Sequence, residues 1–139
     1  MGIGRVNLSA KSVDFFPLGP AIPPDARGSA GEPFSFAMVP GRKVAYGLFQ
    51  DMYRFEFWKF DLEHRKLAGR TEFKGRPRMA LKPSSNGKVL YIYVAGNTID
   101  LYDAETYQYL RTITIDGDQT TELFVLPASP SAISSSAGL

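Results

Sequence analysis

The chain has 139 residues, of which 44% are hydrophobic and 13% aromatic, and this composition excludes a disordered chain and suits one domain with a core. Sixteen basic and fourteen acidic side chains leave a net charge of +2, too small and too dispersed for a surface that binds nucleic acid. The absence of cysteine excludes disulfides, thiolate metal sites and cysteine nucleophiles within this chain.

Short stretches of alternating apolar and polar residues predict β-strands along almost the whole chain. They are rich in Val, Ile, Thr, Tyr and Phe, and they span 34–40, 43–49, 54–61, 77–83, 88–94, 98–104, 111–115 and 120–126. Turns are expected at Ser84-Ser85-Asn86-Gly87 and at Gly96-Asn97, because Gly and Asn tolerate positive φ. The stretch 61–70 is the most helix-like, but it is short, and the pattern therefore predicts an all-β fold.

The strand alternation also predicts which side chains form the core. These residues are Phe57, Phe60, Val89, Tyr91, Ile99, Leu101 and Ile113.

One strand pattern occurs twice at an interval of 42 residues. Phe60-Asp61 and Tyr102-Asp103 each end an alternating strand, and a partial copy at the start of the chain has Asn7 in place of the Asp. Four short strands per unit of roughly forty residues are typical of β-propeller blades. An ordinary antiparallel meander or sandwich is the alternative that the pattern leaves open.

The repeat predicts a partial β-propeller of about three four-stranded antiparallel blades over residues 1–127. Blade segments are expected at about 1–16, 34–76 and 77–116, with a closing strand at 120–126. The first blade then holds only its last two strands. A Pro/Gly-rich loop at 17–33 separates two blades, and the low-complexity residues 128–139 are expected to form a flexible tail.

Residues 46–126 resemble the C-terminal part of the β subunit of quinohemoprotein amine dehydrogenase, a β-propeller of the YVTN type. The matching motifs are "YG" before an aromatic-Asp strand, "DLxxRKL", "GKVLYI", "DLYDAETxxxLRTI" and a closing "GD…TT". The resemblance implies a periplasmic seven-bladed scaffold beside partner subunits that carry haem and a tryptophan-derived quinone. The resemblance assigns no catalytic residue to this chain. Residues 1–12 contain no apolar stretch typical of a secretory signal. If the periplasmic location implied by the resemblance does not apply, the expected compartment is the cytoplasm.

The residues of this chain that could take part in catalysis or metal binding are more simply explained by structural roles. Trp58 is the only tryptophan, and without cysteine it cannot form a protein-derived quinone here, so we expect a packed aromatic side chain. His64 has only Asp61 and Glu63 as nearby candidate metal ligands. Asp61 and Asp103 are expected to accept hydrogen bonds from backbone N–H groups in the turns that follow them.

The best candidate for a calcium loop is Asp116-Gly117-Asp118, with Glu122 further on. These side chains supply too few oxygens for a Ca²⁺ cage. We therefore predict no catalytic, cofactor-binding or metal-binding residue and no cofactor in this chain.

The expected function is that of a non-catalytic interaction scaffold. Two alternatives stay open: a component of an amine-oxidising oxidoreductase whose cofactors lie in partner subunits, and a propeller that binds a small molecule in its central channel. Nucleic acid and membranes are not expected partners. A protein partner or a second copy is expected, because three blades form an open arc and the strand at 120–126 of one copy can complete the first blade of another.

Overall fold

The structure, a computed structural model, describes residues 2–17, 35–39, 41–50, 54–94, 96–117 and 122–127. These residues form β-strands and no helix. The strands are β1 (Gly2–Asn7), β2 (Ser12–Pro17), β3 (Ser35–Met38), β4 (Val44–Gln50), β5 (Phe55–Asp61), β6 (Lys66–Phe73), β7 (Ala80–Pro83), β8 (Val89–Tyr93), β9 (Thr98–Asp103) and β10 (Tyr109–Thr114). Because the described residues contain no helix, they contain none that could cross a membrane.

The strands form three antiparallel sheets of two, four and four strands. Blade 1 is β1–β2, blade 2 has the order β3-β4-β5-β6, and blade 3 has the order β7-β8-β9-β10. The predicted pairing of strand 43–49 with 54–61 and of 88–94 with 98–104 is confirmed, with small changes at the strand ends. Of the predicted loop at 17–33, Pro17 belongs to β2, and the remainder lies outside the described residues, as does the predicted tail at 128–139.

Blade 2 is buried on both faces, as a propeller blade is and as the sheet of a two-layer sandwich is not. One face packs Leu48 and Phe57 against blade 3. The other face packs Phe49 and Trp58 against Ile3 of blade 1. All four of these blade 2 side chains are fully buried. This two-sided burial decides between the two predicted architectures, and the fold is a partial β-propeller.

The first strands of blades 2 and 3 lie side by side, as the inner strands of a propeller do. Ser35 Oγ donates a hydrogen bond to the Leu81 carbonyl oxygen at 3.3 Å and accepts one from the Leu81 N–H at 3.0 Å. A single hydroxyl therefore links β3 to β7 across the gap between two sheets that share no ladder.

The predicted core is confirmed in part. Phe57, Phe60 and Leu101 are buried. Val89, Tyr91, Ile99 and Ile113 are only half-buried, and the prediction is wrong for these four side chains. On β8 the fully buried residues are instead Leu90 and Ile92.

The cause is that both faces of β8 are apolar. Leu90 and Ile92 face blade 2. Val89 and Tyr91 face away from it, where no further blade of the described chain covers them.

The predicted closing strand at 120–126 does not form a strand over its described part. Residues 122–127, here called the terminal segment, have no ladder partner among the described residues. The segment lies beside blade 3, where Glu122 Oε1 is 3.2 Å from Lys82 Nζ. A β-strand requires a hydrogen-bonded neighbour. The segment therefore lies next to β7 without joining its sheet.

Two glycines with the same backbone conformation provide a matched test of packing in the hairpin turns. Gly41 has φ +70° and open space where a Cβ would lie, whereas at Gly87, with φ +69°, a Cβ would lie 2.6 Å from Val39 Cγ1. We expect Gly41→Ala to lower the free energy of unfolding by about 1–2 kcal/mol, through backbone strain alone. Gly87→Ala should cost more, because Val39 is buried and must also move. Equal losses in urea unfolding would contradict the described packing of Val39.

Candidate functional site

The two predicted turns, after Asp61 and Asp103, are present, and Asn7 begins a third turn of similar geometry. Asp61 Oδ1 accepts hydrogen bonds from the N–H groups of residues 63 and 64 at 3.1 and 3.0 Å, and Asp103 Oδ1 accepts from residues 105 and 106 at 2.9 and 2.8 Å. Asn7 Oδ1 accepts from the N–H of residue 10 at 3.0 Å. The residue four positions after each side chain has positive φ, at Lys11, Arg65 and Tyr107. The recurring acidic residues therefore fix turns.

The other polar candidates do not converge on a site. His64 Nδ1 lies 2.7 Å from Asp61 Oδ2 at the protein surface, and Glu63 pairs with Lys43 at 2.6 Å. Glu122 pairs with Lys82, and Asp118 lies outside the described residues. Among the described residues no three His, Asp or Glu side chains are grouped as metal ligands.

The turn carboxylates predict an acid-sensitive stability. Hydrogen bonds from backbone N–H groups, with His64 and Thr106 as the largest contributors, lower the pKa of Asp61 and Asp103 below the usual 3.8. A lowered pKa in the folded state stabilises the protein above pH 3.8, and that stabilisation is lost as the pH falls through the folded-state pKa. In the variant Asp61→Asn/Asp103→Asn the amides can still accept, as Asn7 does, and urea midpoints should fall less steeply below pH 4. An unchanged acid slope would contradict this role.

A buried ion cluster was missed by the sequence reasoning. Glu56 on β5 is only 6% exposed. Its carboxylate accepts two hydrogen bonds from Arg70 at 2.8 and 3.0 Å and one from Trp58 Nε1 at 2.8 Å. Arg54 Nε lies 3.3 Å from the same carboxylate. The available signal was a single Glu between the aromatic residues Phe55 and Phe57, on the same side of β5 as Trp58.

Trp58 is a packed aromatic side chain, as predicted. Its ring stacks on Phe49 with centroids 5.4 Å apart, and the Arg70 guanidinium lies 5.3 Å from the ring centroid. Ile3 of blade 1 packs against the same cluster. The only tryptophan of the chain therefore reports on the contact between blades 1 and 2.

An aromatic cleft lies between the outer strands of blades 2 and 3 and was also missed. Its volume is about 480 Å³. It is lined by Glu72, Phe73, Lys74, Asp100, Tyr102, Tyr107 and Tyr109. Burial raises the pKa of Tyr102 and Tyr107 further above the ordinary value of 10.0, and their neutral hydroxyls can donate hydrogen bonds. The Asp100 carboxylate is already bound to Arg76 at 2.8 Å and to Thr112 at 2.6 Å. The cleft therefore offers aromatic faces more than free charge.

The two ends of the blade arc expose apolar side chains. On blade 1, Val6, Val13 and Phe15 are 61%, 67% and 71% exposed. The register pairs Val6 with Val13 and Phe15 with Gly4, which puts these side chains on the face opposite Ile3. We call them the leading face.

The corresponding surface of blade 3 is the trailing face, formed by Tyr91, Ile99 and Ile113. These side chains point away from blade 2 and are half-buried.

A third apolar surface lies beside blade 1. Phe36 and Met38 on β3 are 44% and 56% exposed, although they share a face of blade 2 with fully buried Ala45 and Phe60. Blade 1 covers the outer half of that face, and among the described residues nothing covers the inner half. We call this gap the inner notch. The terminal segment also exposes every second side chain, with Phe124 81% and Leu126 79% exposed.

No protein-family model and no curated protein matches the chain. Among solved structures, the chain is similar to Kuenenia stuttgartiensis Hydrazine Synthase, with a TM-score of 0.54 and 16% sequence identity. The match covers 85% of this chain and 31% of that chain, so the chain spans less than a third of that protein's length. At this identity the likeness shows the fold alone. The resemblance to the amine dehydrogenase β subunit stays a prediction.

Proposed function

We propose that the chain is a non-catalytic scaffold that binds protein through the ends of its blade arc. The observation that carries this proposal is the leading face, whose three large apolar side chains are each more than 60% exposed. Contiguous exposed apolar surface on a folded protein marks an interaction site. In a propeller, this face of a blade packs against the neighbouring blade.

The described polar side chains support a scaffold over an enzyme. Asp61 and Asp103 are engaged in turns, and Glu56 is held by Arg70. His64 lies at the surface beside Asp61, without a second basic group or a nucleophile in the contacts described. The family that the chain resembles also uses its propeller as a scaffold. This role agrees with polar side chains that are engaged in turns and ion pairs.

Charge placed on the leading face tests the proposal in cells that express the tagged chain. We expect the unmodified chain to migrate on a native gel as a complex larger than 15.4 kDa. The variant Val13→Glu/Phe15→Glu should migrate as the monomer, because burying an unpaired carboxylate at an interface is unfavourable. Trp58 emission should be unchanged, since neither substitution touches its cluster. Equal migration of the two proteins would overturn the proposal.

An absorbance spectrum of the captured complex separates a plain scaffold from the amine-oxidising alternative. Quinone or haem bands that copurify with the unmodified chain, and are lost with Val13→Glu/Phe15→Glu, would place the scaffold beside a redox partner. A colourless complex supports the scaffold without that activity.

A further inference from the structure

We infer that the partner at the arc ends is a second copy of this chain, arranged so that each terminal segment fills the inner notch of the other copy. This inference rests on the proposed function and names its partner. It follows from three apolar surfaces that a single twofold arrangement covers together.

The first argument is the mismatch in strand number between the blades. Blades 2 and 3 have four strands each, and in the described residues blade 1 has only its last two. The inner notch, with Phe36 and Met38, lies where the inner strands of blade 1 would pack on blade 2. The notch therefore fits an extended apolar segment.

The second argument is that the terminal segment is such an extended apolar segment, at the other end of the arc. It lies beside β7, with Glu122 paired to Lys82, and half-buried Leu123 and Val125 alternate with exposed Phe124 and Leu126. The segment thus occupies the inner-strand position of a further blade, and the described residues form no other strand beside it. Because it lies against blade 3, it does not fill the notch beside blade 1 of its own chain.

The third argument is that the terminal segment of one copy and the inner notch of the other are complementary. When the terminal segment of one copy enters the notch of the other, Phe124 and Leu126 meet Phe36 and Met38. The same movement brings the leading face of one copy onto the trailing face of the other. Each shared blade then combines β1 and β2 of one chain with the terminal segment of its partner, and two chains form a closed ring of six blades.

The proposed contact accounts for most exposed apolar side chains. Among the large hydrophobic side chains that the described residues expose, it leaves Leu8, Tyr109 and Leu110 uncovered. A net charge of +2 per chain gives little repulsion between two copies.

Single cysteines test the arrangement, because the chain has no cysteine of its own. Purified Met38→Cys and Phe124→Cys chains, one of them carrying a larger tag, are mixed at micromolar concentration and oxidised. Each chain carries one thiol, so a mixed disulfide can only join two copies. Met38→Cys paired with Leu110→Cys is the matched control, because Leu110 is 51% exposed and lies outside the proposed contact.

We expect the Met38–Phe124 disulfide to form about tenfold faster or more than the control pair, since docked thiols meet at a high effective concentration. Equal rates for the two pairs would overturn the inference. If a complex persists on the native gel while the cysteine pairs link equally, the scaffold function stands and the partner is another protein.

Discussion

Glu56→Ala is expected to lower the free energy of unfolding by about 3–5 kcal/mol, the cost of removing one partner from a buried ion pair. The substitution leaves the Arg70 guanidinium, whose side chain is only 20% exposed, without its bidentate carboxylate. It also removes the acceptor of the Trp58 indole N–H. Urea unfolding followed by Trp58 emission measures the loss.

Glu63→Ala is the control for this prediction. Glu63 is also ion-paired, with Lys43, but its side chain is 57% exposed and solvent screens the pair, so the free energy of unfolding should change little. Similar losses for the two variants would show that the Glu56 cluster is not buried as described.

Phe57→Ala is expected to cost about 3–5 kcal/mol, because a fully buried aromatic ring is removed from the interface between blades 2 and 3. The ring stacks on Phe73 at 4.0 Å and on Tyr107 at 5.3 Å, and it meets Tyr102 edge-on at 5.2 Å. Its loss therefore removes contacts within blade 2 and between the two blades.

Leu110→Ala is the apolar control on β10. Leu110 is 51% exposed, and its truncation should change the stability by no more than about 0.5 kcal/mol. A loss below about 1 kcal/mol for Phe57→Ala would mean that blades 2 and 3 do not pack through this ring.

Local features of the fold were predictable from the sequence. The turns after Asn7, Asp61 and Asp103 depend on one side chain and the next four residues, so a repeat in the sequence translates directly into a repeat in structure. The hairpin pairings followed for the same reason, because short turns fix which strands meet.

Features that depend on distant residues were not predictable. Alternation identifies the two faces of a strand, but it could not say which apolar face of β8 meets blade 2, and Tyr91 was assigned to the wrong one. Glu56 and Arg70 are separated by a hairpin, and their pairing depends on the register of β5 with β6. The aromatic cleft joins Phe73 of one blade to Tyr109 of the next, and no periodic pattern links them.

Light scattering from the purified, unmodified chain is the most direct test of how the blade arc is completed. At micromolar concentration the proposed ring predicts twice the chain mass of 15.4 kDa, with dissociation and unfolding that depend on protein concentration. A particle of 15.4 kDa that unfolds cooperatively, at a midpoint independent of concentration, would contradict the ring of two chains.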